Sequence, residues 1–451
     1  MNNDIKKNIR RIFWLLIAMF ALAVIYLGRF ILIDSPEIVN NPFNPRLRLM
    51  TENVARGQIT DSAGVILAET AADGSRLYPF GRTLAHLVGT DQMGRSGVEA
   101  RYNVILRQPS MEIIQRVMSL PDPESGRVAG DTAALTVDID IQQTLYQAFG
   151  DNRGAAVVME PSTGRILAMV SKPDFDPARI AADWERLIED VEGSPLLNRA
   201  TQGLYPPGSV FKSMTAAAAL DSGLAEFIFE CVGVAEFDGE SLRCFNSVAH
   251  GTIGMPEAFA VSCNGYFAAV ALEMGAGALY KACERAFFNN DLSYSIERGR
   301  SSFVLTSGAS VVDIMHTAIG QGQTLVTPLH MCMVTSAIAN GGRMMTPYIL
   351  GKRVSATGTV LSRNLPEKLT QVFDGDAAAA ITGMMIEAVE SGTAAPAAVA
   401  GIAIAAKTGT AQNASGDDHG WVIAFAPADD PQIAIAVVTE NSGGPRLGLE
   451  L

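Results

Sequence analysis

Two hairpin signatures stand far apart in this chain, and together they constrain its fold more than any other feature. Ala155 to Glu160 reads as a strand, Pro161-Ser162-Thr163-Gly164 as a turn, and Arg165 to Ser171 as a second strand. The pattern returns near the other end: Trp421 to Ala426, a Pro/Asp turn from Pro427 to Pro431, then Gln432 to Thr439. Between them lie Ala-rich segments of helical character, among them Ser213 to Leu220, Met255 to Leu272 and Ala377 to Glu390. Strands at both ends with helices between them predict an α+β domain, its one antiparallel sheet closed by the two ends.

The 451 residues leave room for further units ahead of that domain. Hydrophobic residues make up 48% of the chain, and part of that excess sits in the apolar run 12–33. Its uninterrupted part, Ile12 to Gly28, is slightly short of the roughly 20 residues a bilayer needs. Arg29, which can reach the far interface, and Phe30 to Ile33 complete a transmembrane span. Lys6, Lys7, Arg10 and Arg11 precede it, so residues 1–11 are expected in the cytoplasm and the bulk of the chain outside. Ala21-Leu22-Ala23 has the small-x-small form of a cleavage site, but the apolar run continues beyond it, and an uncleaved anchor is the expectation. A polar linker at 34–48 leads into a small mixed module, so that 34–152 precede the α+β domain at 153–451. In the module, Val65 to Ala68 and Thr132 to Val137 read as strands. Asp138 to Phe149 has helical spacing, with Ile139, Leu145 and Phe149 on one side.

A net charge of −13, with no basic run after the anchor, argues against nucleic acid as a partner. The five cysteines are Cys231, Cys244, Cys263, Cys283 and Cys332; there is no C-x-x-C, and no histidine is spaced as a metal ligand, so neither metal nor cofactor is expected. Cys231 and Cys244 flank a short acidic, Gly-containing loop. Disulfide pairing outside the cell and buried free thiols are both open for them.

Three fragments carry chemistry. Tyr205-Pro206-Pro207-Gly208 breaks helix just before the helix-forming Met214 to Leu220, so Ser209 is expected at a helix N-terminus, where partial positive charge favours a developing alkoxide. Lys212 lies one turn further on the same face. It becomes a base if burial or a nearby cation, with Lys407 as candidate, keeps it partly neutral. An ordinary N-cap serine and a solvated lysine account for this fragment taken alone. In Ser262-Cys263-Asn264, an extended or turn geometry lets Ser262 and Asn264 converge while Cys263 faces the core. Ser262 would then pass a proton from Lys212 to a leaving amine, and Asn264 would hold a substrate amide; a turn capping the next helix is the plainer account. Lys407-Thr408-Gly409-Thr410 follows the strand-like Ile402 to Ala406. Gly409 suits close approach of a ligand backbone. Lys407, Thr408 and Thr410 would bind a terminal carboxylate, and a backbone N–H would join an oxyanion hole. A strand edge blunted by lysine is the alternative, and it leaves the glycine-threonine pair unexplained. Together the fragments make a kit for acyl transfer through a serine ester.

In this order they resemble the S-x-x-K, S-x-N and K-T-G set of the class B penicillin-binding proteins, membrane-anchored D,D-transpeptidases that cross-link peptidoglycan. The resemblance covers roughly Arg56 to Gly444. Arg56-Gly57-Gln58-Ile59, Gly97-Val98-Glu99, Leu135-Thr136-Val137-Asp138, Ser171 to Pro177, Gly320-Gln321-Gly322, Thr327-Pro328 and Ala411-Gln412 also belong to it. It implies a pedestal-like first module and an antiparallel sheet of about five strands flanked by helices. It implies Ser209 as nucleophile on the penultimate D-alanine carbonyl, Lys212 as its base, Ser262, Asn264 and Lys407 as further catalytic residues, and Thr408, Gly409 and Thr410 as substrate-binding ones. The oxyanion hole would use the backbone N–H groups of Ser209 and Thr410. Stem peptides and β-lactams are the implied ligands, and a multi-span glycan polymerase the implied membrane partner. Ala406 stands where many relatives carry glycine. After Gly443-Gly444 the family continues into a helix that covers the sheet; here that helix is expected to be missing, leaving one sheet face open. A D,D-carboxypeptidase, with water as acceptor, and a non-catalytic β-lactam-binding scaffold or sensor are the alternatives.

Overall fold

In the computed structural model the two hairpins lie side by side. Residues 3–30, 54–107, 128–291, 299–306, 308–413 and 416–450 are described; the linker 34–48 and the end of the apolar run, 31–33, lie outside them. Helix α1 (Asn3–Arg29) contains a 23-residue stretch, Lys7–Arg29, of mean hydropathy 2.1, long and apolar enough to cross a membrane.

The first module is built on a six-stranded sheet. Ile59–Thr60, Ile66–Thr70, Arg76–Leu77 and Thr132–Leu135 come from the module itself. Leu350–Val354 and Val360–Arg363 complete it, with Leu350–Val354 antiparallel to Thr132–Leu135. The sheet thus takes two strands from well within 153–451, and the two units interlock rather than simply follow one another. Helix α2 (Ile139–Phe149) begins where its spacing predicts: Asp138 caps it, its carboxylate accepting from the N–H groups of Asp140 and Ile141.

The five strands of the main sheet are β1 (Gly154–Met159), β2 (Ile166–Lys172), β3 (Ala405–Ala411), β4 (His419–Ala426) and β5 (Ile433–Thr439), in the order β3-β4-β5-β1-β2. The chain ends of the domain meet at the centre, where Ala434 faces Met159 and Thr439 faces Gly154. Every residue of β1 and β2 is buried, which requires cover on both faces. Helices α3 (Lys212–Asp221), α4 (Asn264–Met274), α5 (Pro328–Ala339) and α6 (Gly375–Glu390) pack on one side. α5 is buried almost all round, as expected of a helix apolar on every face. On the other side Leu145 and Phe149 of α2 pack on Ala156, Val158, Leu167 and Val170.

One expectation is corrected. A short helix, α7 (Arg446–Glu450), lies over β4 and β5: Gly448 sits against Val422 and Val437, and Leu449 packs against the cluster of Ala260, Ala388, Val389 and Ala406. The face expected to be open is therefore covered there by apolar contact. The helical character over Met255 to Leu272 resolves into two helices, Met255–Ala260 and α4, with the turn expected at Ser262-Cys263-Asn264 between them and Ser262 left-handed at φ +57°.

Candidate active site

Ser209 lies in one 3₁₀ turn, Gly208–Phe211, that runs directly into α3. The edge strand β3 presses against that turn. Gly208 has φ +55°, and a Cβ there would stand 2.5 Å from the Thr410 carbonyl oxygen, so only glycine fits. Gly409 meets the same turn from the strand side: its Cβ would lie 3.1 Å from the Val210 nitrogen. The close partner of this glycine is thus the protein's own Ser209 turn, where the sequence suggested a ligand backbone. Further ties fix the turn. Gly208 N–H donates to the Gly320 carbonyl at 2.8 Å, and Trp421 Nε1 donates to the Pro206 carbonyl at 2.9 Å. Ser209 itself remains half-buried at the mouth of this packed corner.

Behind it two lysines converge. Lys212 and Lys407 are both fully buried, and Ser262 Oγ accepts from both, at 3.1 Å from Lys212 Nζ and 2.9 Å from Lys407 Nζ. Lys212 also donates to Asn264 Oδ1 and to the Ser262 carbonyl, each at 2.7 Å. Lys407 donates to the Thr408 carbonyl at 2.9 Å. The ammonium groups lie 5.6 Å from the ring centroids of Phe267 and Phe259, respectively. Burial disfavours the charged form and pulls Lys212 down to about 7. Lys407 is driven well below the ordinary lysine value by burial first and then by the neighbouring Lys212 charge. Burial, rather than the Lys407 charge, therefore dominates at Lys212. At neutral pH a group at about 7 is roughly half neutral, against roughly one part in 2,500 for an ordinary lysine.

The structure thus brings Lys212, Ser262, Asn264 and Lys407 into one hydrogen-bonded centre. Asn264 and Ser262 converge as expected, with Cys263 fully buried between them, and the left-handed turn at Ser262 makes this possible. The Asn264 amide nitrogen is engaged with the Arg243 carbonyl at 2.8 Å. The threonines of β3 are placed differently. Strand alternation sets Lys407 and Gly409 on one face, Thr408 and Thr410 on the other. The Thr408 hydroxyl is hydrogen-bonded to that of Thr393 at 2.7 Å, whereas Thr410 stays half-buried.

One supporting group escaped the sequence reading. Glu440, just past β5, accepts from Tyr205 Oη at 2.7 Å and Arg199 Nε at 2.8 Å, and pairs with Arg153 at 3.2 Å. Burial opposes its charge, but the Tyr205 hydroxyl and Arg199 outweigh that and hold its carboxyl below the usual range. This network ties the Tyr205-Pro206-Pro207-Gly208 approach to the sheet. Its members are too distant in sequence for any local pattern to find.

The chain matches the penicillin binding protein transpeptidase domain over residues 154–448. It is 34% identical to the peptidoglycan D,D-transpeptidase PbpA of Mycolicibacterium smegmatis, with 90% of this chain and 88% of that protein covered. It also resembles penicillin-binding protein A from Mycobacterium tuberculosis, solved as a ceftriaxone acyl-enzyme complex, with a TM-score of 0.81, 30% identity and coverage of 90% of this chain and 98% of the other. The D,D-transpeptidase domain of a peptidoglycan glycosyltransferase from Eggerthella lenta gives a TM-score of 0.78 at 31% identity, covering 88% and 96% of the two chains. With the three motifs meeting around one buried lysine pair and most of the chain matched, the chain belongs to the class B penicillin-binding proteins.

Proposed function

We propose that this protein is a peptidoglycan D,D-transpeptidase working through an acyl-serine intermediate, with β-lactams as covalent inhibitors. The observation that carries this reading is the meeting of Lys212, three residues after Ser209, with Lys407 on the Ser262 hydroxyl. Ser209 Oγ attacks the penultimate D-alanine carbonyl, and its proton passes to the neutral Lys212 amine. Ser262, bonded to both lysines, relays that proton to the nitrogen of the departing terminal D-alanine as the peptide C–N bond breaks. An amine of a second stem peptide then attacks the ester, its own proton returns through Lys212, and Ser209 is regenerated. Backbone N–H groups of Ser209 and Thr410 stabilise the oxyanion. Asn264 orients the substrate amide, while Lys407 and the half-buried Thr410 receive the terminal carboxylate; Thr408, bonded to Thr393, and Gly409, packed on the Ser209 turn, shape the strand that presents them. Helix α1 anchors the protein with residues 1–11 in the cytoplasm and the site outside, consistent with the basic residues that precede the apolar stretch. A multi-span glycan polymerase would be the partner in that membrane.

The test uses the full chain in detergent. Fluorescent penicillin should label the unmutated protein stably and leave Ser209→Ala unlabelled; failure of the folded protein to label would overturn the proposal. A stem-peptide donor with an added amine acceptor should give the cross-linked product by mass. Free acid alone would instead assign a carboxypeptidase.

A further inference from the structure

The cysteines and histidines that showed no ligand spacing in the sequence come together in space. Cys231 ends the strand Phe229–Cys231, Cys244 follows the strand Glu240–Arg243, His250 precedes the strand Gly251–Ile253, and Cys263 caps α4. Cys231 Sγ and Cys244 Sγ are 3.7 Å apart, Cys244 Sγ and Cys263 Sγ 3.7 Å, and Cys231 Sγ and His250 Nδ1 3.3 Å. All four ligand atoms lie within 4.8 Å of one another. The three cysteines are buried and His250 half-buried.

At these separations the cysteines are free thiols rather than a bonded pair. The three short separations are close to the edges of a metal tetrahedron, and the remaining ones do not exceed 4.8 Å. With Zn–S near 2.3 Å and Zn–N near 2.05 Å, tetrahedral angles put sulfur atoms about 3.8 Å apart and sulfur from nitrogen about 3.5 Å. We propose that Cys231, Cys244, His250 and Cys263 form a structural zinc site that braces the Ser262-Cys263-Asn264 turn. Four protein ligands of Cys₃His type leave no open position, which marks a structural rather than a catalytic metal. Binding releases the three thiol protons to solvent, and the Tyr266 N–H, 3.4 Å from Cys263 Sγ, is placed to stabilise the resulting thiolate.

The surroundings supply a reason for such a brace. Residues 229–253 form two separate two-stranded ribbons, Phe229–Cys231 with Gly251–Ile253 and Val234–Phe237 with Glu240–Arg243. Two-stranded ribbons are marginal alone, and Asn246 and Ser247 between them both have positive φ. One ion would join both ribbons to the N-terminus of α4. It would hold Cys263 between Ser262, in its left-handed conformation, and Asn264, whose amide already reaches the Arg243 carbonyl beside Cys244. The four ligands are positioning residues. The bracing effect rests on the acyl-serine reading above, whereas metal binding does not.

The full chain, purified in detergent without chelator, should contain about one zinc per molecule by mass spectrometry of the metal. Cobalt(II) exchanged into it should give the intense thiolate charge-transfer and visible bands of a tetrahedral site. Cys244→Ser should lose the metal and the bands, and Cys283→Ser should keep both. His250→Cys, which restores four ligands, should retain metal and penicillin labelling where His250→Ala loses metal and labels at least tenfold more slowly. Absence of zinc and of the cobalt bands from the unmutated protein would overturn the site, as would an intact-mass deficit showing a Cys231–Cys244 disulfide. Normal labelling by a metal-free His250→Ala would overturn the bracing role, and Ser209→Ala, metal-replete but unlabelled, keeps a failed site distinct from failed acylation.

Discussion

Buried charge is treated in opposite ways in the two parts of this molecule. In the first module Glu99 is fully buried, and Arg56 and Arg76 close on its two carboxylate oxygens while Arg56 also donates to Asn103 Oδ1 at 2.6 Å. Burial opposes the Glu99 charge, but the two guanidiniums outweigh it and hold the carboxyl below its ordinary value. In the candidate active site Lys212 and Lys407 are equally buried, yet their hydrogen-bond acceptors are hydroxyl, amide and carbonyl oxygens. Burial dominates there, with Cys263 and Cys244 opposing it only in part at Lys212, and both lysines are drawn toward neutrality. The buried carboxylate is given close counterions; the amine proposed as a base has none within hydrogen-bond reach.

Lys212→Met tests this contrast with the largest expected effect. Removing the proposed base should slow penicillin acylation by about 10²- to 10⁴-fold. Replacing the amine with an apolar side chain of similar length relieves a buried charge but leaves the Ser262 and Asn264 oxygens without their donor, so any loss of stability should stay within about 1–3 kcal/mol. A larger loss would show that Lys212 holds the fold, and the contrast would fail.

Glu99→Gln is the reciprocal experiment. It strands two buried guanidiniums without their counterion, at an expected cost of about 3–5 kcal/mol. Denaturant unfolding should report that loss, whereas the folded fraction should still acylate at the unmutated rate. Full stability in this variant would deny the triad its structural part.

These two regions were not equally legible in the sequence. The order of Ser209, Lys212, Ser262, Asn264 and Lys407 pointed to one candidate site because each fragment carries its own chemistry locally, and four of them share one hydrogen-bonded centre. The hairpins of β1–β2 and β4–β5 were legible for the same reason, since each closes within a few residues. What stayed hidden depends on distant pairing. Glu440 meets Arg199 across 241 positions, and Leu350–Val354 pairs with Thr132–Leu135 far upstream. Cys231, Cys244, His250 and Cys263 converge only after two ribbons and a helix start have formed. The role of Gly409 was hidden too, because the sequence cannot tell whether a close neighbour is a ligand or the protein's own turn.

The pH dependence of acylation separates the two kinds of charge without mutation. Lys212, held at about 7, is protonated below that value and cannot take the Ser209 proton. Acylation should therefore fall about tenfold per pH unit below about pH 6 and level off above about pH 8. Glu99 behaves oppositely: its depressed carboxyl stabilises the fold above the ordinary carboxylate value, and that contribution is lost only as pH falls through its lower folded value. At pH 6 the fold should stand while the reaction has slowed. An acid limb centred near 4.5 would instead make a carboxylate the base.

The smallest expected effect comes from an ion pair that resembles Glu99 in composition but not in burial. Arg82 Nη1 meets Asp174 Oδ1 at 3.1 Å, with the arginine side chain 55% exposed, and Asp174 keeps a second partner in the Tyr146 hydroxyl at 2.7 Å. Arg82→Ala leaves that carboxylate hydrogen-bonded, and water reaches the vacated side, so the loss should be about 0–1 kcal/mol. Because solvent screens the pair, the loss should shrink further between low salt and about 0.5 M. The Glu99→Gln loss should hardly move across the same range, since its partners are out of reach of mobile ions. If Arg82→Ala cost as much as Glu99→Gln and ignored salt, pairing alone would set the energetics of charge in this protein. The near-neutrality of Lys212 would then need a cause other than burial.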